Sequence, residues 1–218
     1  MKKAIFVTGT GTDVGKTLVS ALLLQAGKSI GLPMRYFKPV QTGECGDCES
    51  VKQIVNLRDD EILQPSYSYP QPMSPHFAAA IASEQIEIDT IVSRWNQVPE
   101  AYYIVEGAGG LLVPLGKNTL IRDLIKKLNI PVLIVAKTTL GTINHTLLTL
   151  EAIRRAEIPV LGIVLNGEKY NGLENTFRDY AGVPVVAEVP PLEEVSNAVI
   201  TKIATSLFSN FLNNINVN

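Results

Sequence analysis

The sequence predicts a doubly wound α/β domain with a mainly parallel sheet flanked by helices. Six short apolar runs recur along the 218 residues, continuous rather than alternating, as strands covered on both faces require. Helical patterns lie between them. A glycine-rich turn, "GTGTDVGKT" over 9–17, closes the first run and opens the first helical stretch. Strand and helix alternating from end to end imply parallel strands joined by crossovers, with ligands bound beyond the strands' carboxyl ends.

The first run is "AIFVTG" from Ala4, and after the turn Val14 to Ile30 carries a leucine-rich helical stretch that stops near Gly31 and Pro33. "MRYFKPV" from Met34 reads as the second strand. Pro65 to Pro75, with four prolines in "PSYSYPQPMSP", reads as an irregular surface loop, and the helical "HFAAAIA" follows at once. "YYIVEGAGG" from Tyr102 is the third strand, Leu120 to Leu128 a short helix, and "VLIVAKT" from Val132 the fourth strand. Thr142 to Arg155 puts Ile143, Leu147, Leu150 and Ile153 on one helical face and ends in an arginine pair, where cations suit the dipole. "VLGIVLN" from Val160, a helix over Gly172 to Tyr180 and "VPVVAEVP" from Val183 complete the alternation, and "NAVITKIATSLFSNFLNN" has an apolar face suited to packing on the chain's own sheet. One domain over 1–218 is expected.

Apolar residues make up 46% of the chain and the formal net charge is −2. With no long basic block there is no electrostatic footprint for nucleic acid or an anionic membrane, and no apolar stretch reaches spanning length. Met1 to Val7 begins like a signal peptide, but the polar turn interrupts it, so a cytoplasmic protein is expected. Cys45 and Cys48 form a lone C-x-x-C, two ligands where a structural zinc site needs four, and are expected to be reduced loop thiols.

The glycine turn fits one of two phosphate chemistries. A dinucleotide fold wants G-x-G-x-x-G and an acid closing the second strand; here the third glycine is displaced to Gly15 and the second run ends in Phe37-Lys38-Pro39. Gly15-Lys16-Thr17 instead matches the end of a phosphate loop, in which backbone N–H groups surround the phosphates, the lysine reaches the outer ones and the hydroxyl ligates magnesium. Counted from Gly9, the loop is one residue longer than the strict pattern. The fold expected is therefore of the P-loop NTPase type.

Other strand ends supply charge. Lys38 closes the second run, and two lysines on one phosphate would stabilise a transferred phosphoryl group. Glu106 closes the third between apolar neighbours and a glycine turn, where an unpaired carboxylate would be badly solvated. Thr17, Glu106 and Asp47, placed in the loop after Lys38, are candidate magnesium ligands. Gly107, Ala108 and Gly109 permit close backbone approach to a ligand. Asn166 ends the fifth run and offers an amide to a purine edge, or serves as a turn residue.

"FVTGTGTDVGKT", "KPVQTG", "MSPH", "VEGAGGLLVPL", "LGTINHTLLTLEAI", "GIVLN" and "AEVP" occur in the order and approximate spacing of the ATP-dependent dethiobiotin synthetase family, which the chain resembles over residues 6 to 190. The resemblance implies an enzyme that closes a urea ring on 7,8-diaminononanoate with CO2 and MgATP. It implies that Thr12, Asp13, Val14, Gly15, Lys16, Thr17 and Leu18 surround the nucleotide, joined by Glu106 to Gly109, Asn166, Val189 and Pro190. Thr17, Asp47 and Glu106 would hold Mg2+, and Lys16 and Lys38 would bear on the carbamate and the phosphoryl group. Thr12 and Thr42 would contact the diamine. The family is a homodimer, so Leu140, Gly141, Thr142 and Asn144 of a second copy would meet the substrate's tail carboxylate. Gly167 stands where relatives often carry an acid, which implies weak discrimination among nucleoside triphosphates. The rival is a partitioning-type ATPase switch, whose members carry an extra lysine at the place of Gly11; a cobyrinate-type amidotransferase would need a glutaminase domain as well.

Overall fold

The computed structural model describes residues 2–44 and 46–216. The first half contains β1 (Lys3–Gly9), α1 (Lys16–Ser29), β2 (Met34–Phe37), β3 (Val40–Thr42), α2 (Asp47–Val55), β4 (Ile62–Leu63), β5 (Tyr67–Tyr69), α3 (Pro75–Ile81) and α4 (Ile88–Gln97). The second contains β6 (Tyr102–Gly110), β7 (Pro114–Gly116), β8 (Thr119–Leu120), α5 (Ile121–Leu128), β9 (Val132–Lys137), α6 (Thr142–Arg155), β10 (Val160–Asn166), α7 (Leu173–Ala181), β11 (Val185–Val189) and α8 (Asn197–Asn216).

Seven strands form one sheet in the order β11-β10-β9-β1-β6-β2-β4, and each pairing within it is parallel. Parallel neighbours need crossovers, and the crossover helices cover both faces. On one face α1, α2 and α8 bring Leu22, Val51 and Phe208 against Ile5, Val7, Tyr36 and Ile104. On the other, α4 to α7 bring Trp95, Ile125, Leu150 and Phe177 against Phe6, Phe37 and Val105. Successive strand residues point to opposite faces, so both parities of each run must be apolar. Ile200, Ala204, Phe208 and Leu212 recur every four residues along α8 and are buried against α1, as the one-sided pattern requires. Among the described residues no helix is long and apolar enough to cross a membrane.

Three expectations change. "MRYFKPV" is not one strand: Pro39 has no N–H for a ladder, β2 ends at Phe37, and β3 leaves the main sheet to pair in parallel with β5. That partner lies inside the Pro65–Pro75 segment, which is therefore not irregular throughout; the Ser66 and Tyr67 N–H groups donate to the Pro39 carbonyl at 2.9 and 3.2 Å. Asp47 is not a loop residue but the first residue of α2, where a carboxylate faces the helix's partial positive charge. The helix buries Val51 and Val55 only, too short a pattern to stand out in the sequence. Pairing of Cys45 with Cys48 lies outside the described residues, since Cys45 does.

Candidate active site

β1 is the middle strand of the sheet, and the loop at its carboxyl end turns back on itself. A Cβ on Gly9 would fall 2.7 Å from the Val14 side chain and 2.9 Å from the Gly11 carbonyl, so a glycine is needed there. Asp13 and Gly15 take left-handed conformations, with φ of 56° and 98°, which delivers the chain into α1 at Lys16. The Thr10 N–H donates to the Val135 carbonyl at 3.0 Å and ties the loop to β9. The first turn of α1 holds no acidic residue and no side-chain cap, leaving its N–H groups for an anion. Lys16 is buried and donates to the Gly11 carbonyl at 3.0 Å. Burial holds its ammonium below the ordinary lysine pKa, with Glu106 acting in opposition.

Beside the loop, β2 and β6 bring a charged cluster together. Glu106 is 1% and Lys38 3% exposed. Glu106 Oε1 accepts from Thr17 Oγ1 and from Lys38 Nζ, each at 3.0 Å, while Oε2 accepts from the Tyr36 hydroxyl at 2.9 Å. Thr17 Oγ1 also lies 2.9 Å from Asp47 Oδ1, and Lys38 pairs with Asp47 too. A hydroxyl has one proton and donates to one carboxylate at a time. With Lys16 beside them, two carboxylates face two ammoniums, and the carboxylates and the Thr17 hydroxyl supply hard oxygen donors. That donor set suits Mg2+, which takes a few protein oxygens and keeps its remaining waters.

Electrostatics follow the geometry. Burial works to lower the Lys38 ammonium, but Glu106 and Asp47 outweigh it and raise it above the usual lysine value. Burial also works against the charged form of Asp47, yet Lys38 and Thr17 bring it below the carboxylate norm. Burial, reinforced by Glu106, raises the Tyr36 phenol well above its ordinary value, and burial pushes the Cys48 thiol up to about 11.

A cavity of about 730 Å³ opens over this cluster. Thr12, Asp13, Gly15, Lys16, Thr17, Lys38, Thr42, Asp47, Glu106, Ala108 and Gly109 line it, with Pro72 to Pro75 as the opposite wall. Val14 is buried beneath the loop, and Gly107 is held within 3.0 Å of the Phe6 ring as measured from a would-be Cβ. Tyr36 was missed in the sequence, although it stands two residues before Lys38 and so on the same strand face. A second cavity, about 650 Å³, lies at the amino end of the sheet around Lys2, Met34 and Trp95 and holds none of the expected site residues.

Several expected residues do not reach this cavity. Leu140, Gly141 and Asn144 are exposed around the start of α6, Leu140 at 98%, while Thr142 is buried with its hydroxyl lacking a partner. Asn166 is not simply offered to a base: its Nδ2 donates to the Val14 carbonyl at 2.9 Å, and it braces the phosphate loop from the end of β10. Its Oδ1 and the second Nδ2 hydrogen are left for another group. Val189 is buried and its carbonyl accepts from the Gly167 N–H at 3.0 Å; Pro190, without an N–H, has only an oxygen to offer.

The family described as AAA domain matches residues 3–199. The chain is 40% identical over 209 residues to an ATP-dependent dethiobiotin synthetase BioD of Paramagnetospirillum magneticum, covering 95% of this chain and 97% of that one. It is 39% identical over 228 residues to the protein of the same description from Lysinibacillus sphaericus, covering 96% of each. Among solved structures it resembles the MinC:MinD cell division complex of Aquifex aeolicus, with a TM-score of 0.65 at 13% identity over 99% of this chain and 96% of that one. The pNOB8 ParA structure bound to nonspecific DNA gives 0.66, also at 13% identity, over the whole of both chains. At such identity the structures share the fold alone.

Proposed function

The chain belongs to the ATP-dependent dethiobiotin synthetase family, and from that premise we propose that it uses CO2 and MgATP to close a cyclic urea on 7,8-diaminononanoate. It is an ATP-dependent ligase of the biotin-forming type. The observation that carries the detailed reading is the convergence of Lys16, Lys38, Thr17, Asp47 and Glu106 on one cavity beside a helix N-terminus.

One substrate amine adds to CO2, loses a proton and becomes a carbamate. A carbamate oxygen attacks the γ-phosphorus of ATP and ADP departs. The second amine then attacks the carbamoyl carbon and gives up a proton, phosphate leaves with its bridging oxygen, and the ring is closed. Lys16 and Lys38, both buried, neutralise charge on the carbamate and the moving phosphoryl group in a low-dielectric setting, where fixed cations act most strongly. Thr12 and Thr42 at the cavity wall orient the diamine. Thr17, Asp47 and Glu106 would hold Mg2+, which supplies charge neutralisation across the outer phosphates.

A homodimer fits two exposed apolar patches. Leu140, Ile143 and Leu148 stand out at α6, and Phe77 and Ile81 along α3. Apolar patches of this kind mark association surfaces. In the dimer the start of α6, with Leu140, Gly141, Thr142 and Asn144, would face the tail carboxylate of the neighbouring site; the Thr142 N–H is engaged by the Thr139 carbonyl at 3.0 Å, so the N–H groups that follow it in the first turn would meet the anion.

The mechanism is tested with 18O-labelled bicarbonate, scored before its label washes into water. One labelled oxygen is expected in the released phosphate, and phosphate free of label would contradict the carbamate attack.

The fold likeness favours one other reading, a nucleotide switch. A Cβ on Gly11 would meet nothing within 4 Å, so there is room for the lysine such switches use across their dimer, and this chain does not place one there.

A further inference from the structure

Glu106 has an unusual arrangement of partners. Its two oxygens serve different sides: Oε1 faces Thr17 and Lys38, and Oε2 faces only the Tyr36 hydroxyl among the hydrogen bonds described. Tyr36 is fully buried on β2, where the register pairs it with Ile104 of β6, two residues before Glu106 and on the same face of the sheet. The ring leans along the strand direction and spans that diagonal, which no shorter side chain on β2 would do. Tyr36 belongs to the same core cluster as Val51 and Val55 of α2, the helix whose first residue is Asp47.

We propose that Tyr36 is the positioning residue that makes Glu106 a one-oxygen ligand, by holding Oε2 back so that only Oε1 is presented to the cation site. The inference rests on the reading of Glu106 as a magnesium ligand. A carboxylate free to rotate would offer both oxygens, or turn one fully toward the Lys38 ammonium. The buried hydroxyl removes that freedom and fixes Oε1, the oxygen that Lys38 also holds, as the one turned toward the cation site. Outer-shell partners of this kind typically govern metal affinity by about 10–100-fold.

Mn2+ serves as the reporting ion, titrated by its paramagnetic resonance against full-length protein with a non-hydrolysable ATP analogue. Tyr36→Phe deletes one oxygen and is expected to weaken Mn2+ binding by about 10-fold or more, with analogue affinity in EDTA unchanged and the half-saturating Mg2+ for turnover raised in step. Glu106→Gln tests the underlying reading by itself. On that background Tyr36→Phe should add nothing further, because its effect passes through the carboxylate. Unaltered Mn2+ binding in Glu106→Gln would overturn the ligand reading and this inference with it. Weakened binding in Glu106→Gln but not in Tyr36→Phe would overturn the inference alone, as would a lowered melting temperature in Tyr36→Phe with Mn2+ affinity unmoved. Should the phenylalanine chain fail to fold, Tyr36→Met also lacks the hydroxyl, fills the space with an adaptable apolar side chain, and is expected to show the same loss.

Discussion

Replacing Lys38 with methionine keeps most of the stem and removes the charge between two carboxylates. The Lys38 and Glu106 side chains are 4% and 0% exposed, so the change leaves a buried carboxylate without its cation. Breaking such a pair from one side costs about 3–5 kcal/mol. The Asp47 side chain is 38% exposed, and water screens that half of the interaction, which argues for the low end, about 3 kcal/mol. In a domain of this size that corresponds to a melting temperature lower by roughly 6–12 °C. Mg2+ should then raise the melting temperature of Lys38→Met more than that of the wild type, because in the wild type an ammonium already shares the carboxylates with the ion. Turnover should fall by about 100-fold or more at saturating substrates. Differential scanning fluorimetry with and without Mg2+ reads the first two effects. A variant that melts within 2 °C of the wild type, or gains no more from Mg2+, would refute the account of Lys38 as the cluster's internal cation.

Lys16→Ala should reduce turnover by about 100–1,000-fold, since it removes a buried cation from the transferred phosphoryl group; a steady-state rate near wild type would contradict that role. Gly15→Ala forces a left-handed residue at φ 98° and sets a Cβ 2.1 Å from Asn166 Nδ2, breaking the brace on the loop. Calorimetry is expected to show ATP binding weakened by about 10-fold or more, and an unchanged affinity would remove the brace from the account. Burial raises the Cys48 thiol to about 11, so its charged form appears only as pH climbs toward that value. In a Cys45→Ser chain, iodoacetamide should label Cys48 very slowly at pH 8, where roughly one thiol in a thousand is ionised, and faster with each unit of rising pH. Rapid labelling at pH 8 would show the thiol to be unshifted.

The main sheet was legible in the sequence because a parallel strand buried on both faces is apolar along most of its length, and each of its longer strands, β1, β6, β9, β10 and β11, overlaps an apolar run. The phosphate loop was legible because glycine, lysine and threonine are each demanded at a fixed spacing. Lys38 was legible as a charge just past an apolar run, and Glu106 as a charge set in one, although β6 continues beyond Glu106 to Gly110. What escaped has a common cause. β3 and β5 hold three residues each, and proline-rich neighbours mask their pairing. α2 and α4 bury only two or three residues, too few for periodicity to register. Asn166 illustrates a deeper limit: its type indicated a hydrogen-bonding end to β10, but its partner, Val14, is 152 positions away, and only the assembled sheet brings them within 2.9 Å. Tyr36 escaped for the same reason, since an apolar strand offers no sign that one aromatic ring ends on a carboxylate from the next strand.

The most direct test of the proposed reaction is mass spectrometric, with purified protein, MgATP, bicarbonate and 7,8-diaminononanoate, each omitted in turn. The account predicts dethiobiotin together with equimolar ADP, and neither product above background when any one of the three substrates is left out. ATP hydrolysis without dethiobiotin in the complete mixture would contradict it and leave the phosphate loop in the service of a switch.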